Sequence, residues 1–308
     1  MILPTFPQDS ADPPSAARLG EICREAEALG ARAFWATDHL FWHTPLMECL
    51  TALTVAALAT ERASVGSCVL QLPLRHAPAV AKQAASLQEL SGGRLLLGVG
   101  VGSHEGEYDA AGVPFHGRGA LLDAGIDQLH AAWASADAEH YRQLPPVGTV
   151  PVWVGGSSEA ALRRAARHAE GWIPLFLTPE QYAAAMDRLD KEADRAGRDP
   201  AGVTRAMTCF VSVGDEATNQ AGLDWMGSMY GLPAKAFARH LVAGDAPTVA
   251  AALEEWREAG AEHIAVYFTS DDPLVQFRQL AAELGGSFPP PGPDRSTGSG
   301  TGTTVVGP

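Results

Sequence analysis

Ser64–Gly106, SVGSCVLQLPLRHAPAVAKQAASLQELSGGRLLLGVGVGSHEG, decides the fold. Ser64 to Val69 is a short run of strand-forming residues. Pro78 suits a first helical turn, where its missing N–H costs nothing. Ala79 to Leu90 follows at helical spacing, and Ser91-Gly92-Gly93 ends it, since glycine accepts the left-handed conformation past a helix end. Arg94 to Val99 is a second buried-type strand, and Gly100 to Gly106 lets backbone approach something closely. The stretch is one βαβ unit with a candidate site at its strand ends.

Outward from it, the same alternation recurs. The spacing predicts strands at 1–6, 33–37, 150–154, 171–175, 203–213 and 263–268. Helices are predicted at 15–29, 46–60, 118–133, 158–168, 179–196, 247–259 and 273–284. Residues 134–149 read as irregular, and 214–245 as a polar, glycine-containing insertion holding a helix or two. Eight strand-then-helix pairs imply a parallel sheet. The expected class is α/β, a (β/α)8 TIM barrel of about 250 residues plus insertion segments, with a doubly wound open sheet as the rival. Residues 1–286 form the barrel domain, and 287–308, rich in Pro, Gly, Ser and Thr, form a disordered tail unable to bury a core.

With 46% apolar residues the chain can build a large core. A net charge of −14 argues against nucleic acid, whose phosphates would be repelled. No apolar run reaches the roughly 18 residues that a membrane helix needs. The first residues lack the basic start and apolar centre of a signal peptide. The four cysteines are far apart, with no CxxC pair. A reduced, cytoplasmic protein is expected, with no membrane partner.

The carboxyl ends of the strands hold the active site in a barrel, and four segments there carry unusual chemistry. Asp38 and His39 set an acid beside an imidazole able to exchange protons near neutral pH, with Trp42 available to stack on a planar ring. The plain alternative is a helix cap with a packed histidine. His39 and His43 have the i, i+4 spacing of metal ligands, but no third ligand follows at a telling distance, so no metal is expected. Cys68 is a thiol, by default only a small buried residue. The run Gly98 to Ser103 fails as GxGxxG, because Ser103 stands where glycine is needed and no helix opens at once. Its glycines suit a flat ligand lying on backbone. The acids after it, Glu105, Glu107 and Asp109, are ordinarily solvated loop residues or local hydrogen-bond partners. Gly155-Gly156-Ser157-Ser158 opens a helix whose amides would suit a phosphate, or serves merely as a turn.

Taken together, FWATDHLFW, the 64–106 stretch, VPVWVGGSSEAALRRAARHAEGWIP and AGDAPTVAAALEEWREAGAEHIAVYF resemble the bacterial luciferase-like monooxygenase superfamily over residues 1–286. The wording is most similar to its branch that uses the deazaflavin coenzyme F420; FMN is the alternative cofactor. The resemblance implies that Asp38 and His39 flank the deazaflavin ring, with His39, oriented by Asp38, as proton donor or acceptor. Cys68-Val69 matches a bulge behind the ring, often with a non-proline cis peptide. Gly100, Val101 and Gly102 match the loop under the ring and ribityl chain, and Gly155, Gly156 and Ser157 the phosphate cradle. Phe6, Trp42 and His43 fall on the substrate side. In the sugar-phosphate dehydrogenase members an acid follows the glycine loop; Ser103 stands there instead, and no cationic set for a sugar phosphate is evident, so glucose 6-phosphate is not the expected substrate.

The implied activity is hydride transfer between C5 of F420 and a small organic substrate. The rivals are an FMN-dependent monooxygenase using reduced flavin and oxygen, and a non-catalytic flavin or deazaflavin binding protein. A separate reductase would supply reduced cofactor, since the chain carries no nicotinamide fingerprint. Members are frequently homodimers, and the helices at 46–60 and 79–90 carry apolar faces that a second copy could share with the barrel.

Overall fold

The computed structural model describes residues 1–5, 14–134, 150–270 and 272–285. Phe6, all but Ala134 of the stretch read as irregular at 134–149, and the 287–308 tail therefore lie outside the described residues, and Ala134 is helical. The strands are β1 (Ala33–Ala36), β2 (Ser64–Ser67), β3 (Leu70–Gln71), β4 (Leu95–Gly100), β5 (Val152–Gly155), β6 (Gly171–Ile173), β7 (Thr204–Val213), β8 (Leu241–Gly244) and β9 (His263–Phe268). The helices are α1 (Ala16–Ala28), α2 (Cys49–Ala59), α3 (Ala77–Leu90), α4 (Glu105–Ala111), α5 (Arg118–Ala134), α6 (Glu159–His168), α7 (Pro179–Arg195), α8 (Glu216–Tyr230), α9 (Ala246–Glu258) and α10 (Pro273–Glu283).

Every strand pair is parallel, in the order β1-β2-β4-β5-β6-β7, with β9 beyond β7. The fold is α/β with a curled, parallel, half-barrel sheet. The strand expected at 1–6 is reduced to an isolated bridge from Ile2 to Trp35. Pro4 explains this, because it has no N–H to continue a ladder. The short segment nevertheless joins the two outer strands. Ile2 N–H donates to Val266 O on β9 (2.8 Å), and Leu3 N–H to Trp35 O on β1 (2.7 Å).

Three elements differ from expectation. The strand read at 64–69 is split into β2 and β3 by the bulge that the resemblance implies at Cys68-Val69, and the peptide there is cis. Helix α4 opens at Glu105, inside what reads as glycine loop. The insertion holds α8 and a 3-10 turn, but also β8. Phe210 pairs with Leu241 of β8 and with Tyr267 of β9, so these strands flank β7 on opposite sides. On the β8 side, β6 pairs only with Thr204 and Arg205, and Leu175 bridges Thr208. Strand β8 takes over where β6 has ended.

One apolar cluster lies between sheet and helices, with Leu53, Leu97, Leu129 and Leu189 fully buried. A second fills the inside of the curl around Trp35, Trp153, Phe210 and Tyr267. His263 stands edge-on to both tryptophans, at 5.3 and 5.6 Å, and its Nε2 accepts from Trp35 Nε1 (3.1 Å). Burial lowers its pKa to about 4. The unfolded chain therefore takes up a proton here before the folded one does. Stability is expected to fall as pH drops from about 6.5 to about 4. The loss is of order 2 kcal/mol, discounted because part of the residue surface meets solvent. Urea melts across this window should show a flatter profile for His263→Gln; identical slopes would remove His263 as the cause.

Candidate active site

The carboxyl ends of β1 and β4 are brought to one edge through β2. The chain after β1 makes no helix until Cys49, so Asp38 caps nothing and Asp38 to Glu48 is free to fold over the strand ends. Asp38 is 5% exposed. Its Oδ2 accepts from Gln71 N (2.9 Å) and its Oδ1 from Arg75 Nη2 (2.6 Å). Arg75 also reaches Glu48 at 3.3 Å. Burial raises the Asp38 pKa, and Arg75 offsets part of that rise.

Asp38 therefore does not orient His39. Its carboxylate is spent on Arg75 and Gln71, and the acid on His39 is Glu107, with Oε2 2.9 Å from Nδ1. Glu107, read as a loop acid, is fully buried. Its Oε1 also accepts from Leu40 N (2.6 Å) and Phe41 N (3.1 Å), tying the 39–41 loop to α4. Gln71 Nε2 bridges the two acids, donating to Asp38 O (3.0 Å) and to both Glu107 oxygens (3.3 Å). Burial works to raise the Glu107 pKa, but hydrogen bonds from His39, Phe41 and Gln71 outweigh it, so the carboxyl sits below its ordinary range. An ionised Glu107 accepts a hydrogen bond from Nδ1–H of His39 and leaves Nε2 free of that contact. The sequence signal for this pair was faint: an acid three residues into a short helix, 68 residues from its partner.

Trp42 stacks on His39, with centroids 3.9 Å apart and planes at 26°. Its other neighbours are exposed His43 (4.8 Å) and His104 (5.7 Å). The structure thus gathers Asp38, His39, Trp42 and His43 at one rim.

At the bulge, Cys68 N donates to Ala36 O (2.8 Å) and Sγ lies 3.4 Å from Thr208 Oγ1. Burial pushes the thiol up to about 11, so it is not a ready nucleophile. Val69 occupies the space over the strand-end glycines. A Cβ on Gly100 would come within 2.5 Å of Val69, and one on Gly155 within 2.7 Å. Over Gly102 the space is taken by Gln71 Oε1. The glycines thus make room for Val69 and Gln71, and Cys68-Val69 forms an apolar shelf beside them. Helix α6 begins after Gly155-Gly156, with Ser158 Oγ accepting from Ala161 N (3.2 Å). Ser157 gives its hydroxyl to Leu175 O. The cap is therefore Ser158, and first-turn amides remain for an anion.

These residues fit a flavin-type cofactor. The shelf is apolar, a helix N-terminus lies at its edge, and two buried polar atoms at the rim lack a protein partner, the donor Trp42 Nε1 and the acceptor Gln71 Oε1. A tricyclic ring with N–H and C=O groups along its edge has the matching chemistry.

Glu107→Gln is expected to keep stability and lower turnover roughly 10–100-fold, as loss of a partner that orients a functional histidine does. Glu107→Ala should in addition lose about 1–3 kcal/mol, because the Leu40 and Phe41 amides are left without an acceptor. Chemical melts and turnover of both variants check this; equal turnover in Glu107→Gln would leave Glu107 a structural tie only.

Among the described residues no helix is long and apolar enough to cross a membrane. The family model described as Luciferase-like monooxygenase matches residues 1–221. Curated relatives include an uncharacterized protein of Mycobacterium tuberculosis, 32% identical over 164 residues, covering 50% of this chain and 57% of that one. The chain thus spans little more than half of that relative. Phthiodiolone/phenolphthiodiolone dimycocerosates ketoreductase of Mycobacterium tuberculosis is 30% identical over 258 residues, covering 70% of this chain and 67% of that protein. Among solved structures, the monooxygenase RslO1 from Streptomyces bottropensis superposes with a TM-score of 0.77 at 20% identity, covering 91% and 97% of the two chains. An F420-dependent secondary alcohol dehydrogenase in complex with an F420-acetone adduct gives 0.76 at 18%, covering 89% and 95%.

Proposed function

Because the chain belongs to the luciferase-like monooxygenase family, we propose that it is an F420-dependent oxidoreductase interconverting an alcohol and a carbonyl compound. The observation that carries this is the His39–Glu107 pair beside the Cys68-Val69 shelf. We take the curled sheet, with Met1 to Leu3 between β1 and β9, as the (β/α)8 barrel. The two relatives whose names state a carbonyl or alcohol reaction support the choice of substrate chemistry.

When bound, the coenzyme supplies hydride chemistry at its C5. The rest is the protein's. Cys68 and Val69 present the surface on which the ring would rest, and the α6 N-terminus would hold its phosphate. In alcohol oxidation the carbinol C–H leaves as hydride and the O–H as a proton; His39 Nε2 takes that proton while Glu107 holds Nδ1–H. In reduction the same nitrogen returns it to the oxygen. Trp42 covers one face of the imidazole and limits its exposure to water.

Fluorescence titration tests the reading. Saturable quenching of F420 at micromolar concentration, with FMN binding much weaker, is expected. Preference for FMN with oxygen uptake would replace it with a monooxygenase, and ligand binding without turnover over a broad alcohol and ketone panel with a non-catalytic binder.

A further inference from the structure

A single guanidinium holds both ends of the segment that carries His39 and Trp42. Arg75 follows the 3-10 turn Leu72–Leu74, which is buried throughout. Leu72 packs against Gly125 of α5, where an added Cβ would come within 2.9 Å of it, and Arg75 N–H donates to Leu72 O (3.0 Å). The turn is thus fixed before the side chain leaves it. Arg75 Nη2 donates to Asp38 Oδ1 at the start of the segment (2.6 Å), and Nη1 lies 3.3 Å from Glu48 Oε1 at its end. Glu48 Oε2 meanwhile caps α2 by accepting from Thr51 N (2.8 Å). The Arg75 side chain is 15% exposed and that of Asp38 1%, so water does little to screen their attraction.

From Asp38 the hold passes to Gln71. Asp38 accepts the Gln71 backbone N–H on Oδ2 and a side-chain N–H on its own carbonyl oxygen. The second side-chain N–H is left for Glu107. Both partners are oxygen acceptors, so the carboxamide cannot turn over without setting its own oxygen against a carbonyl and a carboxylate. Its Nε2 also sits 3.3 Å from His39 Nδ1, so Gln71 touches both members of the histidine–acid pair. Its hydrogen bond is one of those that keep Glu107 below the ordinary carboxyl range. The contacts run in one unbroken line from Arg75 to Asp38, Gln71, Glu107 and His39.

We infer that Arg75 is a positioning residue for the His39–Glu107 pair, acting through Asp38 and the Gln71 carboxamide. Without the guanidinium, Asp38 is a buried carboxylate that has lost its bonded cation, and such a group takes up a proton or turns out toward water. Either change loosens Gln71. Glu107 then loses a donor, and its hold on the His39 Nδ1–H weakens. An imidazole released from that bond is free to carry its proton on Nε2 instead, where it cannot accept one. That Nε2 works on a substrate rests on the oxidoreductase reading above; that Arg75 fixes the His39 tautomer does not.

The test uses the full chain carrying nitrogen-labelled histidine, with no coenzyme added, so it stands whether or not F420 binds. The His39 signals, assigned by their loss in His39→Ala, should show a protonated Nδ1 and a bare Nε2. In Arg75→Met they should move toward the Nε2–H form. Asp38→Leu/Arg75→Met removes the hold without leaving that carboxylate buried and unpaired. It should give the same shift, which keeps the test decisive if the single variant does not fold. In a Gln71→Met background, where His39 is already released, Arg75→Met should add nothing. With F420 and substrate, kcat of Arg75→Met should fall roughly 10–100-fold while KM changes little. An unchanged His39 pattern in Arg75→Met or in the double variant, or a further shift on top of Gln71→Met, would overturn the proposal. A shifted pattern with unchanged kcat would make Arg75 a structural tie only.

Discussion

Replacing His39 by alanine is expected to lower turnover roughly 10²–10⁴-fold while F420 affinity changes little. The size of the effect follows from what the side chain can do. Its Nδ1 is committed to Glu107 and its ring face to Trp42, so only Nε2 is left to exchange a proton. No other imidazole takes over in place. His43 and His104 stand on other sides of Trp42, and neither has a buried carboxylate partner. Removing His39 also leaves Glu107 with its two backbone donors and Gln71, so the loop keeps its anchor and the variant should fold. Steady-state kinetics and F420 titration on the same preparation decide the matter. Unchanged turnover removes His39 from the chemistry; lost F420 binding makes it a binding residue instead.

Gly98→Ala should have the largest effect on stability. Gly98 lies in β4 opposite Trp153, and a Cβ there would sit 2.0 Å from Ser67 O, the last carbonyl before the bulge. That oxygen is backbone and cannot rotate away, and Ser67 Oγ is itself bonded to Gly98 O (2.7 Å). Relief requires β2 and β4 to separate, which breaks the shelf as well. A loss of about 3 kcal/mol is expected, at the upper end of overpacking costs, or roughly 5–10 °C in Tm. Gly202→Ala is the control, because nothing lies within 4 Å of its added Cβ. A Gly98→Ala variant melting with the control would mean that the strands do not approach this closely.

Much of the scaffold was legible in the sequence because alternation of short apolar strands and amphipathic helices is a local signal. The helix starts at Ser158, Thr178 and Asp245 carry side-chain caps that can be read directly. The placement of Asp38 and His39 at a strand end was equally readable. Their partners were not. Glu107 reaches His39 only because β1 and β4 end at one edge, and whether α4 turns its third residue inward depends on packing that no local pattern encodes. Gly100 and Gly155 were recognisable as sites of close approach, but the approaching group, Val69, lies on another strand's bulge. Strand β8 escaped notice because Leu241 to Gly244 is short and mixed, and becomes a strand only by pairing with the long β7.

That pairing has a practical consequence for anyone redesigning this chain. The insertion is stitched into the sheet: Leu241 to Gly244 run along Phe210 to Val213 in register, and Gly214 N–H donates to Gly244 O (2.9 Å). Excising it would expose a row of unpaired amides and carbonyls along the end of β7, an invitation to aggregation. Swapping in a counterpart from a relative should succeed only when the graft carries its own four-residue strand and keeps the apolar residues that α8 and the turn after it bury, Met226, Met229 and Phe237.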